Sequence, residues 1–395
     1  MRISSLASTG RRGRACARAA VTAAAGLAAF LPVTAASAAT RAPTPKGQLD
    51  ARTQERLDRA LATVTRQTWN PGTIAGVWVG DRGWTAIDGV GDRASGRAPR
   101  LNVHTRIGSV TKTFTATLIL QLVDQGRLRL DDTIDRWFPD FPGARAITVR
   151  QLGTMSSGIA SYSTNAAWMA RYFANPTAGW TPQQLISISA GLPARFAPGA
   201  GFDYSNTNFV MLGQIVEQVT GRALATVLQE QLFGPLRMNQ TTYKPSLRLP
   251  APSWSGYTVQ GAEDGAALDA TGWNPTFADA AGQIVSTLGD LRKWTRAVGS
   301  GSLLRPATQA ERLKPNPYSE RGGRAYLFGL GRAKGWLLHS GELPGYNTQI
   351  AYLPTRKLSI VVLTNADIGG PAGNPAPTIF NALAAAIAPG TLPGG

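Results

Sequence analysis

Ser109 and Lys112 stand three residues apart at the start of a long apolar run. On a helix, positions i and i+3 share a face, so the lysine nitrogen reaches the serine hydroxyl. A hydroxyl beside an amine is an activated nucleophile in outline. The unpaired N–H groups of a helix start add a field that favours developing negative charge. Further on, Tyr204 and Asn206 precede another apolar-periodic segment. Two apart in an extended turn, their side chains point the same way. A phenol of pKa about 10 is a weak base at neutral pH, and nearby cations are expected to lower that value. Late in the chain His339-Ser340-Gly341 closes an expected strand, where glycine lets a substrate backbone lie against the edge. A Ser-His-Asp triad does not fit: no Gly-x-Ser-x-Gly elbow follows a strand, and neither His104 nor His339 stands near one.

The elements that must position these residues follow from periodicity. Apolar residues Leu49, Leu57, Leu61 and Val64 recur at helical spacing, which predicts an N-terminal amphipathic helix over 49–68. Alternating runs at 73–79 and 84–90 around Gly80 and Gly83 predict a hairpin. Phe114, Leu118, Ile119, Leu122 and Val123 form the buried stripe of a helix starting near Ser109. Helices are also expected at 148–154, from Pro182, at 209–219 and at 223–232. Strands return at 325–330, 335–339, 348–353 and 358–363, before an alanine-rich helix over 376–388. Strands at both ends with helices between predict an α+β fold. Its antiparallel sheet is built from both chain ends and flanked by the terminal helices, with an inserted, mostly helical lobe. The sheet lobe takes residues 49–108 and 285–390, the helical lobe 109–284. Ser109 falls at the seam between them, where pockets form.

Residues 1–39 read as a signal peptide: five arginines, an apolar segment over 19–33, and Ala36-Ser37-Ala38 as a cleavage site. Residues 40–48 then form a linker, and 49–390 a single hydrolase domain, expected outside the cell and without a stable membrane anchor. Cys16 is the only cysteine and goes with the leader, so no disulfide or thiolate metal site is expected. With two histidines in the chain, a histidine metal site is not expected either, nor any cofactor. The formal charge of +17 falls to +12 without the leader, and the remaining arginines are scattered. That distribution argues against a nucleic-acid groove, which needs clustered charge.

Ser-x-x-Lys, then Tyr204-Ser205-Asn206, then His339-Ser340-Gly341 form an ordered set. The set resembles the serine β-lactamase and DD-peptidase superfamily, on the branch of class C β-lactamases and secreted D-alanyl-D-alanine carboxypeptidases. Arg106-Ile107-Gly108, residues 120–126, Ser157-Gly158 with Tyr162, and Pro198-Gly199 extend the likeness. It implies Ser109 as nucleophile, with Lys112 and Tyr204 sharing the proton traffic in an order the coupled pair leaves open. It further implies Asn206 bonded to Lys112 and to the acyl amide, and His339 supplying positive field or a hydrogen bond. The oxyanion would be held by the N–H groups of Ser109 and Glu342. Two residues depart from the pattern: Met155 replaces a common histidine, and Glu342 replaces a small hydroxyl residue. Ser340 and Glu342 share a strand face, so an acid stands where a substrate carboxylate should bind, unless Arg332 or Lys334 offsets it. The resemblance implies a secreted serine hydrolase, first a carboxypeptidase on cell-wall stem peptides, with β-lactams as inhibitors or substrates. An esterase, a β-lactamase, a D-amino-acid amidase and a non-catalytic penicillin-binding module are the alternatives.

Overall fold

The computed structural model describes residues 47–391. The leader read at 1–39, Cys16 within it, and residues 40–46 of the linker lie outside them.

Seven antiparallel strands form the main sheet, in the spatial order Arg82–Gly89, Gly72–Val79, Leu358–Thr364, Tyr346–Leu353, Trp336–Leu343, Gly331–Ala333, Arg324–Tyr326. The register pairs Thr73 with Thr364 and Val79 with Leu358, so strands from the two chain ends are neighbours within the sheet. Alternation decides what each face buries. Ile74, Trp78, Val361 and Leu363 face one core, and Ala75, Val77, Ile360 and Val362 face the other. Both faces are covered, which is why these strands read as unbroken apolar runs. On the outer face lie the terminal helices Ala51–Val64 and Pro375–Ile387, which pack on each other through Leu57, Leu61, Ile379 and Leu383. Asp50 caps the first by accepting from Thr53 N at 2.9 Å. Each such buried Leu or Ile contributes about 1.5–3 kcal/mol.

The inner face packs against the helix Leu288–Ser300 and a larger core that encloses the helix Thr111–Asp124. The apolar spacing predicts a buried stripe on that second helix, yet eleven of its fourteen residues are buried. Its threonines make this tolerable by returning their hydroxyls to carbonyls. Thr113 Oγ1 donates to Val110 O at 2.7 Å, Thr115 Oγ1 to Ala280 O at 2.8 Å, and Thr117 Oγ1 to Thr113 O at 2.7 Å. Phe114 stacks on Trp294 with ring centroids 3.6 Å apart.

Three expected elements differ. The strand expected at 335–339 runs on to Leu343, so His339 lies mid-strand and does not close it. The strand expected at 325–330 ends at Tyr326 and gives way to a turn in which Gly329 adopts φ 65, before a second short strand, Gly331–Ala333. The helix expected at 223–232 is Leu224–Leu228 followed by a π-helical turn, Gln229–Phe233.

Asn365, fully buried, fastens the chain ends. Its Oδ1 accepts from Gly72 N at 2.7 Å, and its Nδ2 donates to Val90 O at 3.1 Å and Ser255 O at 3.0 Å. Truncation strands three buried backbone groups, so Asn365→Ala is expected to lower the unfolding free energy by about 3 kcal/mol or more. Urea unfolding measures this; a loss under about 1 kcal/mol contradicts the role.

Candidate active site

The turn that carries Ser109 and the strand Trp336–Leu343 approach more closely than side chains permit. A Cβ on Gly341 would fall 1.8 Å from Ile107 O, and one on Gly108 would fall 2.5 Å from Glu342 N. Gly108 also holds φ 51, a left-handed conformation glycine adopts without strain. The Leu343–Tyr346 pair closes a two-residue hairpin, and pairing alternates from it, which turns the Glu342 N–H toward the Ser109 turn. The backbone nitrogens of Ser109 and Glu342 thus both lie at this close approach.

Ser109 sits in a 3-10 turn, Gly108–Val110, that feeds the helix Thr111–Asp124. Lys112 follows on the same face and has no exposed surface. Its Nζ lies 2.9 Å from Ser109 Oγ, 2.7 Å from Asn206 Oδ1 and 2.9 Å from Ala281 O. All three partners are uncharged, and burial pushes the lysine pKa well below its usual value. A neutral amine has two N–H groups and one lone pair. With two carbonyl oxygens taking the N–H groups, the lone pair faces the serine.

Tyr204 ends the extended segment before the helix Asn206–Thr220, with Lys112 Nζ 4.9 Å from its ring centroid. Though 38% of the residue is exposed, its hydroxyl is enclosed beside Ser109. Enclosure pushes the phenol pKa up, and the bond to Ser109 offsets only part of that rise. This reverses the expectation that neighbouring cations would lower it. The cation in question, Lys112, is itself buried and inclined to be neutral.

Asn206 is oriented by two serines that escaped the sequence reading. Its N donates to Ser161 Oγ at 3.1 Å and its Nδ2 to Ser163 Oγ at 3.0 Å, which leaves Oδ1 for Lys112. Ser-x-Ser spacing beside Tyr162 was the available signal. The Ala281 carbonyl had none, since a backbone acceptor leaves no mark in the sequence. It comes from the turn Asp279–Gly282, where Asp279 has φ 38 and accepts from Tyr243 at 2.7 Å. Burial pushes the Asp279 pKa up to about 6.

His339 is buried, with Nδ1 2.6 Å from Ser340 O and Nε2 3.3 Å from the Tyr326 hydroxyl. A carbonyl only accepts, so Nδ1 bears the hydrogen and Nε2 accepts from Tyr326. Burial, above all, pushes the pKa down to about 4. The expected positive field is therefore absent at neutral pH, and His339 acts through hydrogen bonds. Ser340 and Glu342 have exposed side chains, whereas Gly341 is covered by the Ser109 turn. The exposed Glu342 carboxyl accepts from Asn374 Nδ2. Burial, reinforced by Asp367, pushes its pKa up to about 7. Arg332 does not offset it: its Nη2 pairs with Glu320 Oε1 at 2.9 Å, and Lys334 lies exposed in a distant turn. The Met155 side chain accepts from Ser205 N at 3.4 Å, a packing role. Among the described residues no group of three His, Cys, Asp or Glu is placed to hold a metal ion.

The structure thus brings Ser109, Lys112, Tyr204, Asn206, His339, Gly341 and Glu342 to one cleft and leaves Arg332 outside it. A serine, a poised amine, a protonated phenol and two aimed N–H groups can together perform acyl transfer. A family model described as beta-lactamase matches residues 49–384, and the chain belongs to that family. It is 27% identical over 345 residues to penicillin-binding protein 4* of Bacillus subtilis, covering 80% of this chain and 72% of that one. Among solved structures, a D-stereospecific amidohydrolase from Streptomyces is similar with a TM-score of 0.74 and 31% identity, covering 86% of this chain and 98% of that one. The D-amino acid amidase of Ochrobactrum anthropi is similar with a TM-score of 0.72 and 26% identity, covering 85% and 97%. The chain is therefore a β-lactamase-fold protein among hydrolases that act on amides and peptides.

Gly341→Ala tests the close approach. The added methyl cannot share space with Ile107 O, so the strand edge must withdraw from Ser109. The expected result is a loss of at least about a hundredfold in kcat, the effect of one lost oxyanion donor. Wild-type kcat in a folded Gly341→Ala protein contradicts it.

Proposed function

We propose that this chain is an exported serine hydrolase that moves an acyl group from a D-configured amide, ester or short peptide onto Ser109 and then to water. The observation that carries the reading is Lys112, fully buried, uncharged in its surroundings, and 2.9 Å from Ser109 Oγ. Its lone pair takes the serine proton as Oγ attacks the acyl carbon. The N–H groups of Ser109 and Glu342 hold the oxygen that becomes negative. Tyr204, kept protonated by burial, gives a proton to the departing nitrogen or oxygen and is replenished by Lys112 with the proton taken from Ser109. Water then repeats the sequence in reverse on the acyl-enzyme. Asn206 holds Lys112 in register throughout, and the neutral His339 fixes the strand edge by hydrogen bonding.

Glu342 narrows the substrate. A carboxypeptidase must seat its substrate's terminal carboxylate beside Ser340, where Glu342 repels it and Arg332 is engaged elsewhere. Amides and esters escape that repulsion. The similarity to enzymes named for D-stereospecific amide hydrolysis supports the same choice. Cell-wall stem peptides are the second reading, supported by the similarity to a penicillin-binding protein. The basic and apolar pattern of residues 1–39 supports export.

The test compares a D-Ala-D-Ala peptide with its C-terminal amide across pH. The shared machinery cancels in the ratio of kcat/KM values. Because the Glu342 pKa is raised, its carboxyl is neutral below about pH 7 and repels only above it. The carboxylate-to-amide ratio is expected to be low at alkaline pH and to rise as pH falls through about 7, while Glu342→Gln makes it high and flat. Equal turnover of both peptides well above pH 7 overturns the substrate assignment. Absence of turnover and of any acylated Ser109 with either overturns the reaction itself.

A further inference from the structure

Phe202 and Tyr204, two apart in an extended segment, present their rings on one side, 37% and 38% exposed. Ser205 between them and the following helix is fully buried. Tyr326, from the edge strand Arg324–Tyr326, completes a wall. Its ring centroid lies 5.8 Å from that of Phe202, and 6.0 Å from that of Tyr204, nearly perpendicular to it at 89°. These are favourable aromatic contacts. The wall is also anchored from behind by Asn316, only 3% exposed. Asn316 N donates to Tyr326 O at 2.8 Å, and its Nδ2 to Thr154 O at 3.0 Å and Gly201 O at 3.4 Å. One buried amide thereby ties the strand of Tyr326 to the segment of Phe202.

The chemistry of this surface is uncharged. His339, behind Tyr326, is neutral at ordinary pH. Asp203, between Phe202 and Tyr204, is paired with Arg195 at 3.4 Å, and Arg332 with Glu320. Exposed rings in contact with a reaction centre mark a place for an apolar group.

Its position says which group. The proton donor to a leaving atom must stand within hydrogen-bond reach of that atom. In the reaction proposed above the donor is Tyr204, so a wall that begins at its ring flanks the departing group. We propose that Phe202 and Tyr326, with the outer face of Tyr204, form a leaving-group subsite for an uncharged aromatic amine or alcohol. This rests on the acyl-enzyme reading. In the step concerned, Ser109 Oγ bonds to the acyl carbon and the C–O or C–N bond breaks. The proton lost by Ser109 is matched by the one that Tyr204 delivers to the departing oxygen or nitrogen.

The experiment compares the benzyl and methyl esters of one N-acetyl-D-amino acid. Both give the same acyl-enzyme, and the two alcohols are of nearly equal acidity, so differences in kcat/KM report recognition of the leaving group. The benzyl ester is expected to be favoured by about tenfold or more. Phe202→Ala, an exposed truncation that leaves the core intact, is expected to cut that preference to a few-fold while methyl-ester turnover stays within about twofold. A wild-type ratio near one overturns the subsite whatever the variant does. So does a preference undiminished in Phe202→Ala. Loss of turnover of both esters by the wild type overturns the acyl-enzyme reading along with it.

Discussion

A lysine with no exposed surface and no carboxylate partner is the constraint on which this structure depends. Holding an ammonium in such a place is costly, and the site relieves the cost by favouring the neutral amine. Two carbonyl oxygens, from Asn206 and Ala281, accept its N–H groups and aim what remains at Ser109. The same burial raises the phenol of Tyr204. Desolvation thus moves a base and an acid in opposite directions, so that both stand uncharged beside one hydroxyl. In the reaction proposed above, that is the state from which a proton passes from serine to lysine and later from tyrosine to a leaving group.

The fold serves this arrangement by bringing distant segments to one turn. Pairing of the first and last strands fixes the sheet, and the strand Trp336–Leu343 then lies against the Ser109 turn with a glycine on each side of the contact. From the other side, the helix Asn206–Thr220 and the turn Asp279–Gly282 deliver the two carbonyl oxygens. The enclosed helix Thr111–Asp124 is the common reference, and its threonines allow it to be buried on nearly every side. Rigidity around Lys112 therefore follows from close packing, without a salt bridge.

Much of this was legible in the sequence, for reasons that differ by residue. The α+β class followed from where alternation and helical spacing occur, because those periods reflect which faces are covered. Ser109, Lys112, Tyr204 and Asn206 were legible because their chemistry resides in side chains at telling spacings. Ala281 was not, since it contributes a backbone oxygen. Nor were the protonation states: His339 and Tyr204 are both displaced from expectation by burial, which composition and spacing do not report. Arg332 was placed in the site by its strand position, but a nearer partner, Glu320, claims it. Tyr326 and Phe202 carried no signal in the sequence, and only the ring contacts of Tyr326 with both Tyr204 and Phe202 place them beside the site.

The central claim is that Lys112 is a neutral amine in the resting protein. With seven lysines in the chain, side-chain carbon-13 labelling at Cε and comparison with Lys112→Met identify its resonance for titration by NMR. Lys112 is expected to lose its proton far below the ordinary value of 10.5. A Lys112 that stays an ammonium until pH approaches that value contradicts the account.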